Sequence, residues 1–271
     1  MDAYWIITAF VVIDTLMEHL GHRSDVRAQV PDSAILTIAV VAAKYVGSHH
    51  ERAAPMMRAL GYLSGRISVA RFNRRLHQLA DWMTWIPEVL GEMFTTGDVF
   101  IIDSLPLPTC RRARARRCRK VRGREFCGYC AAKREKFFGW RLHLVCRPDG
   151  VPVRVQMLPA GVHDLTPVHE LAYGLPAGAR LLGDKAYNSA DDEASILAET
   201  GVRLVPVRRA NMRPHAWCMD AIELRAYRHT IETVNSQLEK MGIERIYART
   251  NAGFELKVHA TLIALICTNM N

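Results

Sequence analysis

The chain has 271 residues, a hydrophobic fraction of 49% and a formal net charge of +9, which excludes wholesale disorder and allows one large domain or two smaller ones. The apolar opening over residues 3–13 is too short to span a bilayer and is flanked by Asp2 and Asp14, so neither a membrane partner nor a secretory signal is expected. Seven cysteines without a short-scaffold pattern suit a reducing cytoplasm.

Residues 1–95 read as mostly helical. Residues 35–46 are apolar and Ala-rich, a helix is expected over 49–62, and Ser64-Gly65 interrupts the pattern. Over residues 67–79, Val69, Phe72, Leu76 and Leu79 follow a 3-4-3 spacing that makes one helix face, with Ser68 placed to cap its start. The opposite face carries Arg71, Asn73, Arg74, Arg75 and Gln78. This segment reads either as the second helix of a helix-turn-helix, with Arg71, Asn73 and Arg74 reaching base edges, or as an ordinary amphipathic surface helix. Residues 82–94 form a further helix.

At Gly97 the pattern changes. Residues 99–102 are β-branched and aromatic, a core strand, and Pro106 and Pro108 prevent a helix after it. Residues 137–146 and 151–158 flank the turn Pro148-Asp149-Gly150 and read as a hairpin. A strand over 180–183, a helix over 190–200, a short strand over 202–207 and helices over 220–240 and 252–268 complete a mixed α/β domain. The division expected is a helical DNA-binding or dimerisation domain over residues 1–95 and a catalytic domain over residues 96–271, with a basic insertion at 110–135.

Two core strands end on an acid. Asp103 closes Val99-Phe100-Ile101-Ile102, Asp184 closes Ala179-Arg180-Leu181-Leu182-Gly183, and Glu232 lies in the helical stretch after them. Active sites of open α/β sheets form at the carboxyl ends of strands, where carboxylates are placed to hold a divalent cation. Taken singly, each acid is more simply a turn former, a cap or a surface residue. Together, three acids would suffice for two Mg²⁺ ions about 3.5–4 Å apart, with one aspartate bridging them and Glu232 completing one site.

The contexts of these acids narrow the choice. Asp103-Ser104-Leu105-Pro106, Gly183-Asp184-Lys185-Ala186-Tyr187-Asn188 and Arg228 through Ile231-Glu232-Thr233 resemble the signature blocks of DDE transposases of bacterial insertion sequences, most closely the insertion-sequence family nine-eighty-two. Gly128-Tyr129 with Lys133, Phe138 through Leu144, Leu158-Pro159-Ala160-Gly161 leading to His163-Asp164, and Gly253 through Lys257 agree in order. The resemblance implies an RNase H-like fold, Asp103, Asp184 and Glu232 as catalytic metal ligands, Mg²⁺ with Mn²⁺ as substitute, and the element's inverted repeats as substrate. Double-stranded DNA is then the partner, and a homodimer or larger complex is expected because two ends must meet. The chain departs from a Tyr-x₂-Arg-x₃-Glu-x₆-Lys pattern of related transposases: Arg225 stands at the tyrosine position, Glu239 at the lysine position, and Arg141 where lysine is expected.

The remaining signals concern DNA and zinc. Residues 111–124 hold nine basic residues and no acid, namely Arg111, Arg112, Arg114, Arg116, Arg117, Arg119, Lys120, Arg122 and Arg124, which equals the entire net charge of +9. A basic run a few residues past Asp103 reads as a nucleic-acid contact, against the alternative of a solvated loop. Arg141, Lys185 and Arg228 are placed for phosphate, although Arg228 and Glu232 also have the spacing of an i,i+4 ion pair. Cys110, Cys118, Cys127 and Cys130 are four thiols without the second C-x₂-C of a zinc site, so free thiols are the stronger expectation. His143 and His163 read as structural histidines near the site, and Asp164 as a candidate fourth acid. The competing function classes are an inactive or repurposed DNA-binding protein and a nuclease of the same fold.

Overall fold

The computed structural model describes residues 1–131, 133–208, 212 and 218–270, and its chain divides into two compact units, residues 1–89 with 238–271, and residues 90–237. The first is helical: α1 (Ala3–His19), α2 (Asp32–Val46), α3 (His50–Ala59), α4 (Val69–Gln78), most of α5 (Ala80–Phe94) and α9 (Asn251–Asn269). Its core forms around α2, whose residues Ser33 through Ala43 are all buried. A helix apolar on every side needs neighbours on every side, and α1, α3, α4 and α9 supply them. Gly47 ends α2 in the left-handed conformation at φ 58°, where a glycine carries no Cβ penalty. Ser68 caps α4 by accepting the Arg71 amide, and Phe72, Leu76 and Leu79 are buried on the expected face.

This division differs from the expected boundary near residue 95. The chain's last helix returns to the helical unit because eleven of its side chains, from Phe254 to Cys267, are buried, and α2 and α1 are what it packs against. The helix-turn-helix expectation also meets a geometric difficulty. Nine residues separate α3 from α4, whereas that motif joins its helices by a turn of three or four.

The second unit is a sheet covered on both faces. Its strands are β1 (Val99–Arg111), β2 (Cys127–Cys130), β3 (Glu135–Cys146), β4 (Pro152–Pro159), β5 (Arg180–Gly183) and β6 (Arg203–Pro206). β1 is central, antiparallel to β3 and parallel to β5 through Val99↔Arg180, Phe100↔Leu181 and Ile101↔Leu182; β6 continues the parallel side, while β4 and β2 pair with β3. On one face, α6 (Val168–Tyr173) and α7 (Ala190–Thr200) cover Phe100, Ile102, Leu181 and Leu204. On the other, α8 (Cys218–Lys240) lays Leu224 and Tyr227 against Val99, Leu182 and Val205.

β1 runs nine residues beyond the expected Val99–Ile102. Pro106 and Pro108 do not stop it, because β5 pairs with β1 only as far as Ile101. Beyond that point no strand among the described residues pairs with this edge of β1, and prolines two residues apart can both turn their missing N–H toward it.

Two ion pairs fix α8 to the parallel strands. Arg203 at the start of β6 donates to both oxygens of Asp220 at 3.0 and 2.9 Å, and Arg180 at the start of β5 donates to Glu223 at 2.6 Å. Asp220 is 2% exposed while Arg203 keeps a third of its surface in water. Asp220→Ala is therefore expected to cost about 1.5–3 kcal/mol, the range for hydrogen bonds to charged groups, with Arg203 regaining some hydration. Urea unfolding of the variant measures this; an unchanged midpoint would show that α8 is held by its apolar face alone.

Candidate functional site

Strand alternation puts Asp103 and Asp184 on the same face. Val99 and Leu182 point toward α8, so Asp103, four residues past Val99, and Asp184, two past Leu182, project the same way. The ladder ends at Ile101↔Leu182, and the next pair on that face is Asp103 and Asp184. The two carboxylates thus stand side by side where the parallel pairing runs out. Asp184 also caps the short 3₁₀ turn Lys185–Tyr187, accepting the Ala186 amide at 2.8 Å, so its structural and functional readings coexist. Gly183 is required there: a Cβ would lie 2.8 Å from the Tyr187 ring, which folds back beneath it.

Asp103 accepts the Ser104 amide at 2.8 Å on one oxygen and the Asn235 side-chain amide at 2.7 Å on the other. Burial pushes its pKa up to about 6, those two hydrogen bonds oppose the rise, and Asp184 and Asp164 add to it. Asp184 is reachable from solvent yet partly desolvated, which raises its carboxyl above the usual range, and Asp164 raises it further. The buried Tyr187 phenol is raised by burial and then by the same three aspartates. Charge on Asp103 is disfavoured by Asp184 and Asp164, and carboxylate oxygens such as those of Asp103 and Asp184 are donors of the kind that a hard divalent cation takes.

Glu232 stands apart from this group. Its helix reaches the acids, since Asn235, one turn later, touches Asp103, but the Glu232 carboxylate accepts from Arg228 Nε at 3.0 Å and is 61% exposed. Ile231 and Val234 take the inward positions of α8, leaving Glu232 about 100° round from Ile231. Among the described residues no three His, Cys, Asp or Glu side chains close on a common point. The structure brings together Asp103 and Asp184, with Asp164 in electrostatic reach, and pairs Glu232 with Arg228. Asn235 is the site residue that sequence reasoning missed; its signal was its place one turn after Glu232.

Arg141 is engaged within the protein. It donates to Asp164 at 3.0 Å, to Ser104 Oγ at 3.3 Å and to the Tyr129 carbonyl at 3.1 Å, which makes it a clamp on Asp164 rather than an open phosphate contact. His143 is fully buried, and burial lowers its pKa to about 4, so it is neutral at pH 7. His163 accepts the Leu165 amide through Nδ1 at 3.3 Å, a loop-shaping role. Lys185 is exposed beside Asp184, and Arg228 is 75% exposed.

The basic run starts on the last residue of β1 and continues as a 3₁₀ turn over Arg112–Arg117, and its eight arginines are exposed. Lys120 is half-buried, and loss of solvent lowers its pKa. The run is not next to Asp103, as sequence proximity suggested. It follows the far end of β1, eight residues on, or roughly 25 Å at the rise of a strand. Cys127 and Cys130 lie on β2, where an extended backbone separates residues three apart by roughly 10 Å. None of Cys110, Cys118, Cys127 and Cys130 is in a disulfide among the described residues. If the run touches about five phosphates, the log–log salt slope of DNA binding is near −4.5. Neutralising Arg114, Arg116 and Arg117 is expected to flatten it without altering sequence preference, in an anisotropy titration; an unchanged slope would mark a solvated surface.

In the helical unit, Arg71 and Arg74 are exposed on α4, and Asn73 Oδ1 lies 3.4 Å from His50 Nδ1 on α3. Among the described residues no helix is long and apolar enough to cross a membrane.

The chain matches the family described as "Transposase DDE domain" over residues 94–250, more than half of its length. Neither curated proteins nor solved structures give a match.

Proposed function

Since the chain belongs to the family of transposase DDE domains, enzymes that cleave and transfer DNA, we propose that it is an insertion-sequence transposase, of the nine-eighty-two type, that binds the terminal inverted repeats of its element, cuts there and joins the ends to target DNA. The observation that carries the reading is the pairing of Asp103 and Asp184 beyond the last rung of the β1–β5 ladder. A mixed sheet with a parallel pair on one side of β1, an antiparallel set on the other and helices on both faces supports the RNase H-like assignment.

Divalent metal use is general to the family, and Mg²⁺ is the ion proposed, with Mn²⁺ as substitute. Asp103 and Asp184 would hold it, and Glu232 would join them by exchanging Arg228. When bound, such ions polarise the phosphate and lower the pKa of an attacking hydroxyl. The protein's own residues do the rest. Asn235 and the Ser104 amide fix the Asp103 carboxylate, and the Arg141–Asp164 pair keeps a second acid at the rim. Arg228, on leaving Glu232, is free to take a flanking phosphate. Bringing two ends together calls for a dimer or larger assembly.

A second reading has an observation of its own: with Glu232 held by Arg228, the chain would be a DNA-binding protein that does not cut. Labelled element ends incubated with the protein and Mg²⁺ separate the two. Cleavage and joining that Asp184→Asn abolishes are expected; cleavage surviving in that variant would refute the site, and cleavage without joining would indicate a nuclease.

A further inference from the structure

Cys110 and Cys118 bracket the arginine turn, and the catalytic reading uses neither. Between them lie Arg111, Arg112, Arg114, Arg116 and Arg117. The fold brings the two cysteines together by a local irregularity. The register of β1 against β3 slips between Pro108 and Cys110, so Thr109 is an extra residue and the strict alternation of strand faces is broken there. The turn over Arg112–Arg117 then doubles the chain back, and the Cys118 amide closes it by donating to the Ala115 carbonyl at 3.0 Å. Cys118 thereby meets two successive residues of β1. Its Sγ lies 3.6 Å from Thr109 Oγ1, and its thiol shares a hydrogen bond with that of Cys110. Thr109 is itself held in place, donating to the Phe138 carbonyl at 2.9 Å.

The two sulfurs differ in character. Burial raises the Cys118 thiol, but hydrogen bonds led by the Val121 amide outweigh it and hold the group below its usual value. Burial raises the Cys110 thiol, and Cys118 beside it raises it further, while Lys120 opposes the rise. Both sulfurs sit on residues that are only partly covered, whereas Cys146 and Cys267 are buried and burial raises their thiols strongly. A thiol biased toward thiolate, with a second accessible thiol against it, has the arrangement of an attacking sulfur and its resolving partner.

We propose that Cys110 and Cys118 form a thiol–disulfide exchange site for low-molecular-weight disulfides, and that closing it ties the arginine turn to the end of β1. The Cys118 thiolate attacks one sulfur of the small disulfide, whose S–S bond breaks, and the departing thiolate takes up the proton that Cys118 released. Cys110 then gives its proton to solvent and attacks Cys118 Sγ in the mixed disulfide, so that the second small thiolate leaves and is protonated in turn. Two protein thiols are oxidised to one disulfide, and one small disulfide is reduced to two thiols. The ring so formed encloses five of the nine basic residues of the run. The exchange needs neither DNA nor metal and stands apart from the transposase reading.

Oxidised glutathione is the probe. The full chain is incubated with it at neutral pH, quenched with acid, alkylated, digested with trypsin and mapped by mass spectrometry with and without reductant. Arg117 and Arg119 flank Cys118, so the expected product is the dipeptide Cys118-Arg119 joined to the peptide that ends at Arg111, and reductant releases it. Cys110→Ser is expected to stop at a glutathione adduct on Cys118, and Cys118→Ser to leave Cys110 open to alkylation. Repeating the incubation in urea separates folded geometry from mere nearness in sequence: the preference for this pair over the other cysteines should be lost there. Brief trypsin treatment of the native protein reads the tie itself, since cleavage within Arg112–Arg117 should be slower in the oxidised form than in the reduced one. Wild-type protein that keeps both thiols alkylatable overturns the proposal. So does a disulfide that joins either cysteine to Cys127 or Cys130, a Cys110→Ser variant without an adduct at Cys118, or an unchanged pairing preference in urea. Equal native cleavage of the oxidised and reduced forms overturns the tying of the turn.

Discussion

Replacing Asp103 by Asn is expected to abolish strand cleavage while raising the melting temperature at neutral pH. The first effect follows from the loss of one of two paired acids at the proposed reaction centre. Several kcal/mol of transition-state stabilisation corresponds to a fall of about 10³-fold or more. The second follows from burial. The Asp103 carboxyl is raised from 3.8 to about 6, so the folded protein holds that proton more tightly than the unfolded chain does. Stability on this account is greatest below about pH 4, falls as pH rises to about 6, and above that the fold bears the whole cost of a buried charge. A shift of about two units is worth about 3 kcal/mol. Asn removes that cost but loses about 1 kcal/mol, because its single carbonyl cannot serve both Ser104 and Asn235. A net gain of about 1–2 kcal/mol corresponds to roughly 3–6 °C in a chain of this size. Calorimetry at pH 7.5 and at pH 4 reads it: the gain should be present at the first and shrink at the second. Adding Mg²⁺ should raise the wild-type melting temperature and leave the variant's nearly unchanged. A variant that melts lower than wild type at pH 7.5 would show that Asp103 is a structural acid.

Glu232→Gln is expected to have the opposite profile, with a similar loss of cleavage and no change in stability. Exposed i,i+4 ion pairs are worth about 0.3–0.5 kcal/mol, so the melting temperature should move by no more than a degree or two. The same small number explains how Glu232 can serve in catalysis while paired with Arg228. A cation held by Asp103 and Asp184, as proposed, would offer several kcal/mol of charge stabilisation, more than the pair with Arg228 would resist. The helix already reaches the acids through Asn235, so only the Glu232 side chain has to turn. If Glu232→Gln cleaves at the wild-type rate, the third acid is not on α8. Asp164, which raises the pKa of both Asp103 and Asp184, would then be the residue to replace.

The short-range features of this fold were legible because they are decided locally. The strand ending just before Asp184, the Ser68 cap and the amphipathic face of α4 all follow from a few neighbouring residues. Where the outcome depended on distant chain, the reading went astray. Pro106 and Pro108 look like strand breakers until it is known that β5 stops at Ile101 and leaves an edge open. The same extension of β1 carried the basic run roughly 25 Å from the acid it seemed to adjoin. Arg141 looks like a phosphate ligand until the loop bearing Asp164 is brought against it. Asn235 could not be singled out without the placement of α8, which Asp220 and Glu223 tie to Arg203 and Arg180 on strands distant in the sequence.

The return of α9 to the helical unit has a consequence for how the protein is made. α2 is synthesised early, yet one of the helices that bury it arrives about 200 residues later. At about 5–20 residues per second, that leaves its apolar surface waiting about 10–40 s on the ribosome. The helical unit thus closes only after the sheet that carries Asp103 and Asp184 has been translated. A nascent chain of this protein would expose an unfinished helical bundle throughout that interval, and slowing translation between α8 and α9 should increase its aggregation more than slowing it anywhere within the sheet.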